Sequence, residues 1–217
     1  METLDGAVSL LIACIELLFI INLFLFAKKS TINKLVITQL ILLFGYQLLE
    51  FLICFVGFHD QLIIYLALFD ITLLPPLGLF TVLLYAGKLK NHHYLIFIPA
   101  IFFVIYFPIV IDSLAVTKCT VLYATYNYPL GPLYATFYYL PIIGAMIILN
   151  KKWGSDTDSK QKSLTRFYFF GYLYTFLPGM IFAIFFPTFV EAVESLLCKL
   201  AFVLSIFLTI FVLKNKP

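Results

Sequence analysis

The stretch 62–86, LIIYLALFDITLLPPLGLFTVLLYA, decides the fold class of this chain. It is longer than the roughly 20 residues that an α-helix needs to cross the hydrocarbon core of a bilayer. It also carries one carboxylate, Asp70, and a double proline, Pro75-Pro76. A charge is costly in lipid, and two prolines remove two helical amide donors, so both features need neighbouring protein or water. The stretch is therefore predicted to be an internal helix of a membrane bundle.

The whole chain has the composition of a polytopic membrane protein. Of its 217 residues, 63% are hydrophobic and 12% are charged, whereas about a quarter of the residues of a soluble domain are charged. Seven apolar runs are long enough to span a bilayer. These runs are 6–27, 35–57, 62–86, 94–111, 130–149, 166–187 and 190–213. They use most of the chain, which predicts an all-α membrane protein with one seven-helix transmembrane domain over residues 1–217.

Basic residues fall on one side of these spans. Twelve of the 14 Lys and Arg residues lie in the first, third and fifth connections or in the C-terminal tail, and only Lys118 and Lys199 lie elsewhere. The positive-inside rule then places the N-terminus outside and the C-terminus in the cytoplasm. The fifth connection, 150–166, is predicted to be an exposed cytoplasmic loop. The lipid bilayer is the predicted partner, and the small positive excess does not indicate nucleic acid.

The longest outer connection, 112–129, is rich in β-branched and aromatic residues. The loose alternation in TVLYATYNY favours a short β-hairpin over the mouth of the bundle. An irregular loop with its tyrosines at the headgroup level is the alternative. Cys54 and Cys119 are the one cysteine pair predicted on the outer, oxidising side, so they are a candidate disulfide. Unpaired small hydrophobic residues are the other interpretation of this pair.

Four predicted helices place an ionisable group at one height. Glu16, Glu50, Asp70 and Lys199 all lie about 10–15 Å below the outer surface at 1.5 Å per residue. Lys199 is the one basic group in this layer, so one of the three acids is its expected partner. Tyr46, four residues before Glu50, shares a helix face with it and can hydrogen bond to it. The layer is either a clasp that sets helix order or a pocket that a ligand or ion can enter.

Further residues complete the candidate pocket and suggest how it moves. Tyr134 and Tyr138 on the fifth span add hydroxyl groups to it. The prolines of the third span, together with Pro178 and Gly179 on the sixth, are predicted hinges. The hypothesis is that ligand or proton binding alters an Asp70–Lys199 pair. The bends then convert that change into motion at the fifth connection.

Short motifs carry a family resemblance over nearly the whole chain. They are GYQ at 45–47 followed by Glu50, LPP at 74–76, LYAG at 84–87 and GPLY at 131–134. The chain resembles the seven-helix N-terminal sensor region found ahead of some bacterial and archaeal histidine kinases. The resemblance implies a multi-pass sensor of the cytoplasmic membrane that responds to a small molecule or lipid from the outer side. Because no kinase follows residue 217, it also implies a free-standing module with output through a separate effector.

Other functions agree with fewer of these sequence features. A solute or ion transporter would use intramembrane charges and proline-broken helices, although seven helices do not divide into two equal inverted halves. A lysine on the seventh span and an aspartate on the third invite comparison with microbial rhodopsins, but no predicted span contains a tryptophan to sandwich retinal. The three histidines lie in loops on different sides, and no serine has a base at a recognisable spacing. No catalytic residue, metal site or cofactor is therefore predicted.

Overall fold

Seven α-helices and one β-hairpin make up the part of the protein that the structure describes. The computed structural model describes residues 6–121, 124–185 and 190–215, without the side chains of 182–184, 190–196 and 198. The helices are α1 (Ala7–Phe26), α2 (Thr31–Phe51), α3 (Gln61–Tyr85), α4 (Ile98–Ile109), α5 (Gly131–Ser155), α6 (Ser159–Phe185) and α7 (Val190–Lys214). The strands are β1 (Ala115–Cys119) and β2 (Ala124–Asn127). The predicted helical architecture and the predicted hairpin within 112–129 are confirmed, and each predicted span corresponds to one helix.

Local sequence signals set several of the helix ends. Ser30 caps α2 by accepting a hydrogen bond from the Asn33 amide at 3.1 Å, and Asp60 caps α3 at the Leu62 amide, as expected for these residue types. A π-helical turn, Leu52–Val56, continues α2. It ends at Gly57, whose φ of 82° is in the left-handed region that glycine adopts without strain.

Five helical segments of the described structure are long and apolar enough to cross a membrane. They are Ala7–Phe26, Thr31–Val56, Gln61–Tyr85, Asn91–Ile109 and Gly131–Ser155. The fourth of these consists of α4 and a 3₁₀ segment, Asn91–Phe97, in front of it. These segments indicate a membrane protein. Seven crossings and their orientation stay predictions.

The helices pack around α3 on one side and α7 on the other. α3 contacts α2, α4 and α5, while α7 contacts α1, α2 and α6. Gly179 allows α6 to approach α7 closely, because a β-carbon there would collide with the Leu197 side chain. Both α3 and α6 stay helical through their internal prolines, Pro75-Pro76 and Pro178. Their role as hinges stays a prediction.

The polar fifth connection is mostly helical, so the prediction of an exposed loop over 150–166 is wrong. Helix α5 runs to Ser155 and α6 begins at Ser159. The turn between them is stabilised by an ion pair between Lys152 and Asp156 at 2.9 Å. Asp158 accepts a hydrogen bond from the Gln161 amide at 3.0 Å. Lysine and glutamine are good helix formers, and a search for apolar runs detects only the apolar part of such helices.

The β-hairpin is fastened to two other segments at the same end of the molecule. Strands β1 and β2 pair antiparallel, with Ala115 opposite Asn127 and Cys119 opposite Ala124. A disulfide joins Cys119 to Cys54 in the π-helical turn, with their Cα atoms 5.5 Å apart. The Gly6 amide donates a hydrogen bond to the Thr120 carbonyl at 3.2 Å. The start of α1, the end of α2 and the hairpin therefore form one unit.

Removing the disulfide is expected to destabilise this unit. The bond joins two cysteines that are 65 residues apart in the sequence. A disulfide typically stabilises a protein by about 2–4 kcal/mol. Cys54→Ser with Cys119→Ser should lower the free energy of unfolding by that amount, measured by SDS titration in mixed micelles. The matched control is Cys14→Ser, since Cys14 is an exposed free cysteine. Equal stability of the double variant and the wild type would contradict the expectation.

Candidate functional site

Lys199 is the centre of a buried ionic cluster, which comprises Ser9, Gln47, Glu50 and Lys199. The Lys199 ammonium lies 2.9 Å from Glu50 Oε1, and it donates hydrogen bonds to Gln47 Oε1 at 2.8 Å and Ser9 Oγ at 2.7 Å. Ser9 and Gln47 are fully buried and Glu50 is 1% exposed. An ammonium has three N–H donors, so these acceptors satisfy it completely. The cluster joins α1, α2 and α7.

Asp70 is not the partner of Lys199, so the hypothesis built on an Asp70–Lys199 pair is wrong in that respect. The described residues contain two ion pairs, Lys199–Glu50 and Lys152–Asp156. Asp70 is half-buried and faces Gly45 of α2, where a β-carbon would lie 2.5 Å from Asp70 Oδ2. Depth places Asp70 and Lys199 in one layer, but α3 directs the carboxylate at the backbone of α2.

Glu16 and Tyr46 lie in the core near the ionic cluster. Glu16 is fully buried, and Lys199 and Ser205 are polar groups that interact with it electrostatically. The Ser205 hydroxyl donates a hydrogen bond to the Phe202 carbonyl at 2.8 Å. Tyr46 is also fully buried. Both residues are therefore enclosed in the helix core and do not line an open outer pocket.

Tyr134 and Tyr138 lie elsewhere, on the wall of a cavity between α3, α4 and α5. The cavity has a volume of about 280 Å³. Thirteen residues line it, and ten of them have no polar side-chain atom. The three with a hydroxyl group are Thr72, Tyr134 and Tyr138. None of the lining residues carries a charge at neutral pH.

The cavity has a buried polar floor and an apolar mouth. Thr72 and Tyr134 at the floor are 5% and 2% exposed, and their hydroxyl oxygens lie 3.0 Å apart. Thr72 Oγ1 also donates to the Leu68 carbonyl at 2.6 Å. Leu95 and Leu140 at the mouth are 61% and 56% exposed. The opening therefore faces sideways between α4 and α5, on the apolar outer surface of the helices.

The double proline separates this cavity from a smaller void. Pro76 lines the cavity, whereas Pro75 lines a void of about 20 Å³ among α2, α3, α5, α6 and α7. Tyr138 borders both spaces. The pair of prolines and the Tyr138 ring thus form the wall between the cavity and the centre of the bundle.

A second polar network joins α3, α5 and α6 at the opposite end from the hairpin. The Tyr85 hydroxyl lies 2.9 Å from Thr165 Oγ1 and accepts a hydrogen bond from Gln161 Nε2 at 3.0 Å. Thr165 Oγ1 is also 2.5 Å from Asp156 Oδ2, the acid that pairs with Lys152. The Lys152 ammonium lies over the Tyr85 ring, 5.1 Å from its centroid. This inner network connects α3 to the turn between α5 and α6.

Trp153 lies beside this network, on the last turn of α5. Its ring packs against Phe169 and Phe170 of α6, with each centroid 5.8 Å away. It is the one tryptophan of the chain. Although no predicted span contains a tryptophan, the extension of α5 places Trp153 in a helix.

Several of these residues were not singled out from the sequence. Gln47 lies within the GYQ motif and three residues before Glu50, so helical spacing could have placed it in the cluster. Ser9 and Thr72 are single hydroxyl residues in apolar runs, and nothing in their spacing distinguishes them. The inner network was missed because most of it lies beyond the apolar runs. Within the described part of the chain, no group of three His, Cys, Asp or Glu side chains can hold a metal ion.

Removing the ammonium from the ionic cluster is expected to destabilise the fold. Lys199→Met leaves Glu50 buried without its cation, and such a loss costs about 3–5 kcal/mol. Equilibrium unfolding in SDS mixed micelles should show this loss. Glu50→Gln combined with Lys199→Met should recover part of it, because no uncompensated charge remains.

Asp70→Asn is the matched control for the cluster. Because Asp70 does not contact Lys199, its neutralisation should change the free energy of unfolding by less than about 1 kcal/mol. A larger loss in Asp70→Asn than in Lys199→Met would mean that Asp70 is the true counter-ion.

Comparison with known proteins leaves the family of this chain open. No protein-family model, no curated protein and no solved structure matches it. The resemblance to the sensor region of histidine kinases therefore stays a prediction.

Proposed function

We propose that the chain is a receptor-like protein of a cell membrane with seven transmembrane helices, which binds an apolar ligand and passes the signal to a separate effector. Five apolar helical segments support the membrane assignment. The long helices α6 and α7 pack beside them. Exposed large apolar side chains, such as Phe24, Leu25 and Ile109, offer the surface that lipid would cover.

Two independent features favour an orientation with the N-terminus outside. Basic residues accompany the helix ends on one side, including Lys28, Lys88 and Lys214, which are typical of a cytoplasmic face. The Cys54–Cys119 disulfide lies at the opposite end of the helices, and disulfides persist in oxidising surroundings. The hairpin would then be extracellular and the inner network cytoplasmic.

The cavity between α3, α4 and α5 is the observation that carries the receptor proposal. Its volume is at the lower end of small-molecule sites, which occupy roughly 300–1,000 Å³. Thr72 is 11 residues beyond Gln61, the first residue of α3. At about 1.5 Å per residue, the floor of the cavity would lie about 17 Å into the bilayer. A ligand would enter through the sideways mouth from the lipid. This site replaces the outer-half polar pocket, since Glu50 and Lys199 there bind each other and Glu16 is fully buried.

Helix α5 offers a route from the cavity to the cytoplasmic side. Its outer half lines the cavity through Tyr134 and Tyr138, and its last turn carries Lys152 and Trp153. A shift of α5 on ligand binding would alter the contacts of both residues with α3 and α6. The turn between α5 and α6 is the surface we propose for the effector. Retinal attachment is not proposed, because the Lys199 amine is held by three acceptors.

The fluorescence of Trp153 provides an intrinsic signal of ligand binding. In phosphatidylcholine proteoliposomes, at least one of four decyl compounds, decane, 1-decanol, decyl methyl ether and decyl sulfate, should shift tryptophan emission saturably. The shift is expected because the cavity and Trp153 are on the same helix. Ala100→Phe should abolish it by filling the cavity, since Ala100 is a buried lining residue.

Two controls make this result specific. Ala115→Phe adds the same atoms at an exposed position of β1, and it should keep the response. Trp153→Phe should remove the emission signal altogether. An unsaturable response that survives Ala100→Phe would contradict the receptor proposal. Solute flux across the vesicles without any change in emission would instead favour a transporter.

The proposed orientation is tested by thiol labelling of intact cells. Lys118→Cys on β1 and Ser163→Cys on α6 are both exposed positions, and each is introduced with Cys14 and Cys198 replaced by Ala. A membrane-impermeant maleimide should label Lys118→Cys in intact cells and Ser163→Cys only after lysis. The reverse pattern would overturn the orientation.

A further inference from the structure

We infer that the cavity between α3, α4 and α5 is built for an uncharged single-chain lipid with a terminal hydroxyl group, such as a long-chain alcohol. The inference rests on the proposed ligand site and specifies its chemistry. In this arrangement the hydroxyl group lies at the buried floor, beside Thr72. The alkyl chain leaves through the mouth between α4 and α5.

The lining excludes charged headgroups. None of the 13 residues around the cavity carries a charge at neutral pH. The charged groups of the ionic cluster, Glu50 on α2 and Lys199 on α7, form an ion pair with each other. An ionised carboxylate, phosphate or ammonium on the floor would lose its hydration without gaining a counter-ion, which is strongly unfavourable. A neutral ligand avoids that loss.

The hydroxyl and carbonyl groups at the floor of the cavity can accept more hydrogen bonds than the groups there can donate. The Thr72 hydroxyl donates its proton to the Leu68 carbonyl at 2.6 Å, so Tyr134 is the donor in their 3.0 Å contact. One of the two acceptor lone pairs of the Thr72 hydroxyl then remains for the ligand. Pro76 has no amide proton, so the Thr72 carbonyl lacks the donor that the residue four positions later normally supplies. A buried acceptor without a donor is costly. A ligand that donates a hydrogen bond at this place removes the deficit, whereas an ether or an alkane does not.

The shape of the cavity gives the ligand its direction. The hydroxyl groups are at the enclosed end, and the exposed residues Leu95, Phe137 and Leu140 are at the open end. A molecule with one polar end and one chain fits this gradient with the polar end inward. The chain then remains in contact with the surrounding lipid, so its length is not limited by the cavity volume.

A competition experiment tests the donor requirement. A decyl alcohol with a diazirine in its chain is photo-crosslinked to the full-length protein in phosphatidylcholine vesicles, and mass spectrometry locates the adducts. Labelling should map to α3, α4 and α5 and be lost in Ala100→Phe. At equal mole fraction in the bilayer, 1-decanol should compete about tenfold better than decyl methyl ether or decane. Decyl sulfate should compete least.

The double proline supplies a matched pair of variants. Pro76→Ala restores the amide donor for the Thr72 carbonyl, so the preference for 1-decanol over decyl methyl ether should fall several-fold. Pro75→Ala makes the same change beside the smaller void and should leave the preference intact. The midpoint of SDS unfolding of each variant shows that it is folded.

Each outcome bears on a separate claim. Equal competition by decyl methyl ether and 1-decanol, or labelling that survives Ala100→Phe, would overturn the ligand assignment. A Trp153 response to any of the compounds would still support the receptor proposal in that case. Selective binding of 1-decanol without any Trp153 response would support the ligand assignment and overturn the receptor proposal.

Discussion

The structure depends on how one ammonium group is kept inside an apolar bundle. Lys199 needs acceptors for three protons, and α1 and α2 provide them through Ser9, Gln47 and Glu50. Ser9 and Lys199 are 190 residues apart in the chain, so the cluster brings its first and last helices together at one height and one rotation. A helix that slipped by a single residue would lose these contacts and leave a buried charge unpaired.

The ionic cluster and the cavity lie in two different parts of the molecule. Helices α2 and α7 carry the Glu50–Lys199 ion pair, and Ser9 of α1 and Gln47 of α2 complete its hydrogen bonds. Helices α3, α4 and α5 surround the cavity, whose polar groups are neutral hydroxyls. Tyr138 and the double proline lie on the boundary. The lining of the cavity therefore carries no charge that would attract a charged molecule, although the same bundle contains a buried lysine and two buried glutamates.

The sequence predicted helix number, approximate limits and depth, because bilayer thickness sets helix length and each residue adds a fixed rise. Depth alone does not give the direction in which a side chain points. Glu16, Glu50 and Asp70 were all candidates for the partner of Lys199, and the rotation of α3 toward Gly45 excludes Asp70. The cavity was unpredictable for a related reason, since a gap between α4 and α5 is a property of their packing. The inner network involves ordinary polar residues beyond the apolar runs, where composition carries no signal.

The π-helical turn at Leu52–Val56 has a consequence for how this chain tolerates insertions and deletions. A π-turn holds one more residue than an α-turn, because its hydrogen bonds join residues i and i+5. Cys54 is in this turn and faces Cys119. Losing one residue of α2 ahead of the π-turn, with the turn itself kept, would rotate the thiol by about 100°, away from the hairpin. The covalent link between α2 and the hairpin thus depends on the length of α2 as strictly as on the two cysteines themselves.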